Sequence, residues 1–252
     1  MIENYVQVAM VMRLASLAIA FFYFIYMMRT YRAETDIWAA IFYFMAFALT
    51  GHIGAKASAY METLLSTGQI RSDLINEIGN RNSGAYLFCL VAFVIFRKSL
   101  DPYIMWVCFM SSLIGMWIVG KWSCFIIGDA CYGKPTDMWT GIIVHGLVPS
   151  HVKVHPVTIY DSISVLLIFI FLSLLSQKIK NSELDIYIGF LVLSLYCFCV
   201  EFLRINPAIV IGLSLNQILY LIIFLFSFFK ALSTLVMQPG SYKFSTKALD
   251  GI

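Results

Sequence analysis

The chain has 252 residues, of which 61% are hydrophobic and only 12% are charged, and its net charge is +3 at pH 7. A soluble domain of ordinary composition carries about 25% charged residues, so this composition cannot form a surface that faces water. The net charge is too small to indicate a nucleic-acid partner. The composition therefore predicts an integral membrane protein.

Seven apolar segments predict an all-α integral membrane protein with about seven transmembrane helices. A membrane-spanning helix needs about 20 predominantly apolar residues. The candidate spans cover residues 7–28, 37–57, 84–97, 103–120, 159–176, 185–203 and 209–230. The third and fourth are short for a full crossing. The first lacks a basic start and a small-residue cleavage site, so we expect it to be retained rather than removed as a signal peptide. Without internal repeats, residues 1–252 are expected to form a single polytopic membrane domain.

The basic residues of the loops predict the orientation of the chain, because cytoplasmic loops of membrane proteins are enriched in Lys and Arg. With seven spans, the basic residues of three tight connections and of the C-terminal end fall on one side. These residues are Arg29, Arg32, Arg97, Lys98, Lys178, Lys180, Lys230, Lys243 and Lys247. We therefore expect an external N-terminus, a small external loop region at about 58–83 and 121–158, and a cytoplasmic tail at about 231–252.

Polar residues near one membrane boundary are the candidate functional groups. A charged side chain within the bilayer costs about 2.5–3.5 kcal/mol on insertion scales, so such groups usually pair or line a cavity. Seven polar residues fall toward the predicted external side: His52, Lys56, Tyr60, Lys121, Asp129, Glu201 and Arg204. The first three are spaced four apart and the last two three apart, which places each set on one helical face. Snorkelling or a structural ion pair explains any one of them, whereas their convergence favours a shared site.

Two other chemistries find little support in the segment after the fourth span. The candidate metal ligands there are Cys124, Cys131, His145, His151 and His155. Their spacing matches no tetrahedral zinc pattern, so no metal is predicted. Ser150, His155 and Asp161 offer a Ser-His-Asp set, but the nucleophile-elbow motif is missing. The sequence also allows a disulfide between Cys124 and Cys131.

Three motifs in the second half of the chain resemble those of the bacterial prolipoprotein diacylglyceryl transferases. The first is GKWSCFIIGDACYGKPTDMW at 120–139, which is similar to the family's Gly-Arg pair followed by a Gly-rich turn with an acidic residue. The second is GLVPSHVKVHPVTIYDSI at 146–163, which resembles a loop ending in His-Pro-x-x-x-Tyr-Glu. The third is EFLRINP at 201–207, followed by GLSLNQILYLIIF at 212–224. The first half of the chain matches the family in layout more than in sequence.

The resemblance implies a seven-span enzyme of the bacterial plasma membrane that uses phosphatidylglycerol or a related phospholipid as its substrate. Members of this family transfer the diacylglyceryl group to the cysteine thiol of a prolipoprotein lipobox and release glycerol phosphate. The implied partners are therefore a membrane phospholipid and a prolipoprotein or another membrane protein, with no nucleic acid. No cofactor is implied.

The resemblance also implies roles for individual residues of this sequence. The catalytic set is Lys121, Asp129, Glu201 and Arg204, in which the cations hold a lipid phosphate and the carboxylates orient the cations or handle a proton. The lipid-binding set is His52, Lys56, Tyr60, Gly120, Gly128, Gly133, His155 and Tyr160. Its glycines would allow the backbone to approach the headgroup closely.

Departures from the family pattern leave two hypotheses for the function. The signature arginine is here Lys121, which lacks the bidentate guanidinium, and the family's asparagine is Cys124. A second arginine of the family falls on Cys197, and the histidine-containing turn at the start of the third span is NSGA at 82–85. The chain is either a transferase that retains a phospholipid donor or a diverged paralogue that binds lipid as a membrane subunit or uses another acceptor. A transporter is disfavoured, because the polar residues gather at one face rather than at the midplane.

Overall fold

The computed structural model describes residues 2–31, 36–68, 82–96, 101–127, 132–143, 152–179 and 181–237. These residues form a helical bundle with a very small sheet. The helices are α1 (Ile2–Tyr31), α2 (Ile37–Thr67), α3 (Asn82–Phe96), α4 (Pro102–Ser112), α5 (Gly120–Ile127), α6 (Val157–Ile179), α7 (Ser182–Val200) and α8 (Leu215–Met237). Strands β1 (Ile142–Ile143) and β2 (Lys153–Val154) pair antiparallel, with Ile142 opposite Val154.

Six helical segments of the described chain are long and apolar enough to cross a membrane. They are Met10–Thr30, Ile37–Thr67, Pro102–Ile126, Val157–Ile179, Ser182–Leu203 and Leu215–Met237. The shorter apolar helix α3 has 15 residues and occupies the place of the third predicted span. Large apolar side chains are exposed along these helices, as expected for a surface that contacts lipid. The prediction of an all-α membrane protein with about seven helices is therefore confirmed.

Several predicted boundaries differ from the structure. The fourth span is longer than the predicted 103–120, because α4, a π-helical segment (Leu113–Val119) and α5 follow one another without a break. α2 and α5 extend into the segments that we expected to be loops, 58–83 and 121–158, and α8 extends into the expected tail. The last span begins at Leu215 rather than at 209, because a tight turn precedes it.

The core between α3, α4 and α7 is built largely from aromatic side chains. The ring of Phe109 lies 4.9 Å from that of Phe190, and Phe93 lies 5.5 Å from Tyr187. All four residues are almost fully buried. This packing fixes α4 relative to α7, and the C-terminal continuations of these two helices carry Lys121 and Glu201.

α2 and α3 cross at a contact between two glycines. A Cβ atom at Gly54 would overlap the carbonyl oxygen of Gly84, and one at Gly84 would overlap the carbonyl oxygen of Gly54 and the side chain of Ser58. Lipid gives helices no hydrophobic reason to associate, so small residues that let backbones approach are a main source of contact. This crossing holds the start of α3, including Ser83, in the bundle.

We expect Gly54→Ala to destabilise the protein by about 1–3 kcal/mol, because the added methyl group must push two backbones apart. Gly51→Ala is the control on the same helix, since its Cβ would lie 3.4 Å from Cys89 Sγ, an ordinary contact distance. Thermal unfolding in a single detergent measures both variants. Equal melting temperatures for the two would contradict the close crossing.

Candidate functional site

Four charged side chains from three parts of the sequence meet at one end of the bundle. Lys121 Nζ lies 2.9 Å from Asp161 Oδ2, and Arg204 Nη2 lies 2.5 Å from the same oxygen. Arg204 Nε lies 3.1 Å from Glu201 Oε2. We call these four residues the charged cluster. Its two cations and two carboxylates sum to zero, which is how charge is accommodated in an apolar bundle.

Asp161 joins the elements of the cluster. Its side chain is fully buried within α6, and its second oxygen, Oδ1, accepts a hydrogen bond of 3.0 Å from the hydroxyl of Tyr196 on α7. Lys121 approaches from α5 and Arg204 from the segment after α7. Both oxygens of one carboxylate thus connect three parts of the chain.

Glu201 extends the cluster to α3 and α8. Its Oε1 accepts hydrogen bonds from Asn216 Nδ2, at 2.9 Å, and from Asn206 Nδ2. Asn216 Oδ1 in turn accepts a hydrogen bond of 2.6 Å from Ser83 Oγ. A chain of polar contacts therefore runs from the start of α3 to the charged cluster.

Lys121 is held by its own helix and by α6. Its ammonium lies 4.7 Å from the centre of the Trp117 ring, a cation–π contact. Trp122 Nε1 donates to Ser162 Oγ at 3.1 Å, and Ser162 Oγ donates to the carbonyl of Ile118 at 2.8 Å. These bonds fix α5 against α6, so only 8% of the Lys121 side chain is exposed.

Backbone segments from two loops pack beside Arg204. Gly133 N donates to the carbonyl of His155 at 2.8 Å, and Lys134 N donates to that of Leu203 at 2.7 Å. A Cβ atom at Gly133 would lie 2.5 Å from the Leu203 oxygen, so this approach requires glycine. The ring of His155 packs edge-on to that of Tyr160. These contacts place the first two motifs next to the third.

The structure brings together Lys121, Glu201 and Arg204 of the predicted catalytic set. Gly120 adjoins Lys121, and Gly133 and His155 lie next to the backbone of Arg204, as described above. The other predicted residues of this part of the chain lie outside the described residues: Gly128, Asp129, Cys131, His145, Ser150 and His151.

The predicted residues of α2 are placed differently. His52 is exposed, and Lys56 and Tyr60 are half-buried. α2 packs chiefly on α3 rather than on the helices that carry the charged cluster. Helical spacing placed these three residues on one face, but it could not show which neighbour that face would meet.

Asp161 is the central residue that the sequence analysis missed. The sequence offers Asp161 only as part of a Ser-His-Asp set with Ser150 and His155, whereas the structure pairs it with two cations and Tyr196. The second motif does indicate Asp161, because this residue follows Tyr160 at the acidic position of the motif. Asn216 and Ser83 gave no comparable signal.

Comparison with known proteins supports the three motifs. A model of the prolipoprotein diacylglyceryl transferase family matches residues 6–232. Several relatives are named phosphatidylglycerol–prolipoprotein diacylglyceryl transferase. The one from Clostridium tetani is 34% identical over 90 residues, which are 35% of this chain and 36% of the relative. The one from Leptospira interrogans is 28% identical over 132 residues, which are 50% and 42% of the two chains.

A third relative of the same name, from Clostridioides difficile, is 37% identical over 105 residues, which are 41% of this chain and 40% of the relative. The chain therefore spans less than half the length of each of these relatives in the alignments. No solved structure matches it.

Asp161→Asn is expected to destabilise the protein by about 3–5 kcal/mol, because it leaves Lys121 and Arg204 without their shared counter-charge. The double variant Asp161→Asn with Lys121→Met removes one charge of each sign and should recover part of this loss. Thermal unfolding in a single detergent compares the variants.

Tyr196→Phe is the control for Asp161→Asn. It removes one hydrogen bond to the same carboxylate and should cost only about 1 kcal/mol. Asp161→Asn and Tyr196→Phe with the same melting temperature would show that Asp161 does not balance the two cations.

Proposed function

The chain belongs to the prolipoprotein diacylglyceryl transferase family, and on this basis we propose that it transfers the diacylglyceryl group of phosphatidylglycerol to an acceptor thiol. The observation that carries this proposal is the convergence of Lys121 and Arg204 on a single buried carboxylate. Two fixed cations at one point are suited to hold the phosphate of a lipid headgroup. The acceptor expected from the family is the lipobox cysteine of a prolipoprotein.

The position of the charged cluster agrees with a headgroup site. Lys121 lies in the short helix that ends its span, Asp161 lies near the start of α6, and Glu201 follows the end of α7. These helix ends meet at one boundary of the bundle, where the phosphates of a bilayer would lie. A lipid could thus present its phosphate to the cluster while its acyl chains remain in the membrane.

The proposed reaction uses the cluster to stabilise the leaving group. The sulfur of the acceptor thiol attacks the carbon of the diacylglyceryl group that bears the phosphate, and the thiol proton passes to water or to the departing glycerol phosphate. An S–C bond forms, the C–O bond to the phosphate breaks, and glycerol phosphate leaves. Lys121 and Arg204 would stabilise the negative charge of the phosphate as that bond breaks, because charges fixed in advance act strongly at a site that excludes water.

The carboxylates are assigned to positioning. Asp161 is bound to both cations, and Glu201 is bound to Arg204, Asn206 and Asn216. Gly133 and His155, which lie beside the backbone of Arg204, and Tyr160, whose ring packs against that of His155, would shape the headgroup pocket. The roles of Asp129 and of the α2 residues stay predictions.

A second candidate function is a lipid-binding subunit that does not catalyse transfer. It is favoured by Cys197, which occupies the position of a family arginine, is 1% exposed and lies one helical turn before Glu201. Together with Lys121 at the position of the signature arginine, this leaves two guanidiniums fewer than the family pattern. Binding of phosphatidylglycerol without release of glycerol phosphate would identify this alternative.

We further propose that the protein lies in the bacterial plasma membrane, with an external N-terminus and a cytoplasmic C-terminus. The bias of Lys and Arg between the loops supports this orientation. A reporter that is active only in the cytoplasm should be active after Ile252 and silent near His145. The reverse pattern would place the charged cluster on the cytoplasmic side and contradict the proposed acceptor.

The central experiment follows release of glycerol phosphate from labelled phosphatidylglycerol in proteoliposomes with a lipobox peptide. Lys121→Ala should lower the rate about ten- to a hundredfold, because a hydrogen bond to a charged group contributes about 1.5–3 kcal/mol. Lys178→Ala is the control, since this exposed lysine lies at the opposite end of α6 from Asp161.

Lys121→Arg tests how the site has adapted to its lysine. A site that still fits the family's guanidinium should keep or raise its activity, whereas a site shaped around a compact ammonium should lose activity. If Lys121→Ala leaves both transfer and phosphatidylglycerol binding unchanged, the headgroup site is wrong and only the shared fold remains.

A further inference from the structure

The connection between α7 and α8 carries an unusual turn at its tip. Val210 and Leu213 bracket the turn, and Ile211 and Gly212 between them both have positive φ, at 51° and 75°. Two successive positive φ values define a type I′ turn, for which Asn-Gly is the preferred pair. A β-branched residue in this conformation is a strained outlier. The isoleucine therefore needs a compensating contact.

That contact is not supplied by the rest of the described chain. Ile211 is 95% exposed, so its side chain touches almost nothing in the protein. Ile205 is 66% exposed and Val210 50% exposed in the same connection. No charged residue occurs from Ile205 through Phe229. An apolar, strained and exposed tip of this kind is poorly suited to water.

We propose that the turn at 205–213 inserts its apolar tip into the lipid bilayer, at the boundary between headgroups and acyl chains. The two spans that the turn joins also expose large apolar side chains, since Phe202 before the turn and Ile222 after it are about half exposed. The occupant of the surface is therefore the membrane that surrounds these spans. Neither the phospholipid donor nor the acceptor is needed for this contact.

The backbone of the turn is suited to shallow insertion. Polar backbone groups must be satisfied internally where water is scarce. Ile209 N and Val210 N donate to the carbonyl of Leu213 at 2.8 and 3.3 Å, and Leu213 N donates to the carbonyl of Val210 at 2.8 Å. Three hydrogen bonds thus close the tip upon itself.

The stem of the turn is fixed on both sides. Asn206 donates to Glu201 of the charged cluster. At the other side, Ser214 and Gln217 form a reciprocal capping box at the start of α8, with bonds of 2.9 and 3.2 Å. The tip is therefore presented at a fixed depth relative to the cluster. The loop whose Lys134 binds the carbonyl of Leu203 also carries Trp139, which is 89% exposed, and tryptophan is enriched at membrane interfaces.

Spin labelling of Ile211→Cys in liposomes tests the proposal, in a background where cysteines that label in the wild-type chain are replaced by serine. Leu167→Cys, an exposed position within the span of α6, is the lipid reference, and Ser66→Cys, at the exposed end of the long helix α2, is the water reference. At position 211 we expect at least twofold lower accessibility to a water-soluble nickel relaxant than at position 66, and higher accessibility to oxygen. Equal nickel accessibility at 211 and 66 would overturn the proposal.

A second comparison does not depend on labelling. Asn accepts positive φ more readily than Ile, so Ile211→Asn should match or exceed the melting temperature of the wild type in detergent. In liposomes it should melt below Ile211→Leu, because the polar side chain cannot enter the lipid. If Ile211→Asn raised the melting temperature equally in detergent and in liposomes, the tip would make no bilayer contact.

Discussion

A carboxylate withdrawn from water needs a cation within hydrogen-bonding distance, and Asp161 has two. Lys121 and Arg204 come from different parts of the chain. Because both pair with Asp161 on α6, they fix the end of the fourth span and the end of α7 against α6. Glu201 then balances Arg204 and connects the same site to α8 and α3 through Asn216 and Ser83. The positions of five helices therefore depend on one set of compensated charges, and a change at any one member alters the charge balance of the other three.

The apolar part of the bundle is held together by close packing of small residues rather than by charges. Lipid does not drive helices together, so contact depends on close packing. Gly54 and Gly84 allow α2 and α3 to cross, and a Cβ at Gly115 in the π-helical segment would lie 2.6 Å from Ala20 Cβ on α1. These crossings set the positions at which Ser83 and Lys121 reach the polar network. Packing of small residues and pairing of charges thus determine the same geometry.

Much of this arrangement could be predicted from the sequence because apolar runs and isolated charges are local signals. The spans followed from run length, and Lys121, Glu201 and Arg204 stood out as charges beside apolar segments. The role of Asp161 could not be derived in this way, since its partners are distant in sequence and contact it only after the helices pack. The sequence predicts that the last span begins at 209, because residues 209–213 are as apolar as those of a spanning helix. The structure has a turn there instead, with positive φ at Ile211 and Gly212. Helical spacing places His52 on one face with Lys56 and Tyr60 but does not show which neighbour that face meets, so its place in the site stays a prediction.

The links between α5, α6 and the end of α7 also constrain how the protein is made. Lys121 precedes Asp161 and Arg204 in the chain, so the span that ends with this lysine enters the membrane before its counter-charge has been synthesised. Until α6 arrives, the ammonium can remain solvated only by extending toward the lipid headgroups. Arg204 then emerges last, when Asp161 is already in place. The four charges are therefore assembled stepwise during biogenesis, and the site closes only when the end of α7 has joined the bundle.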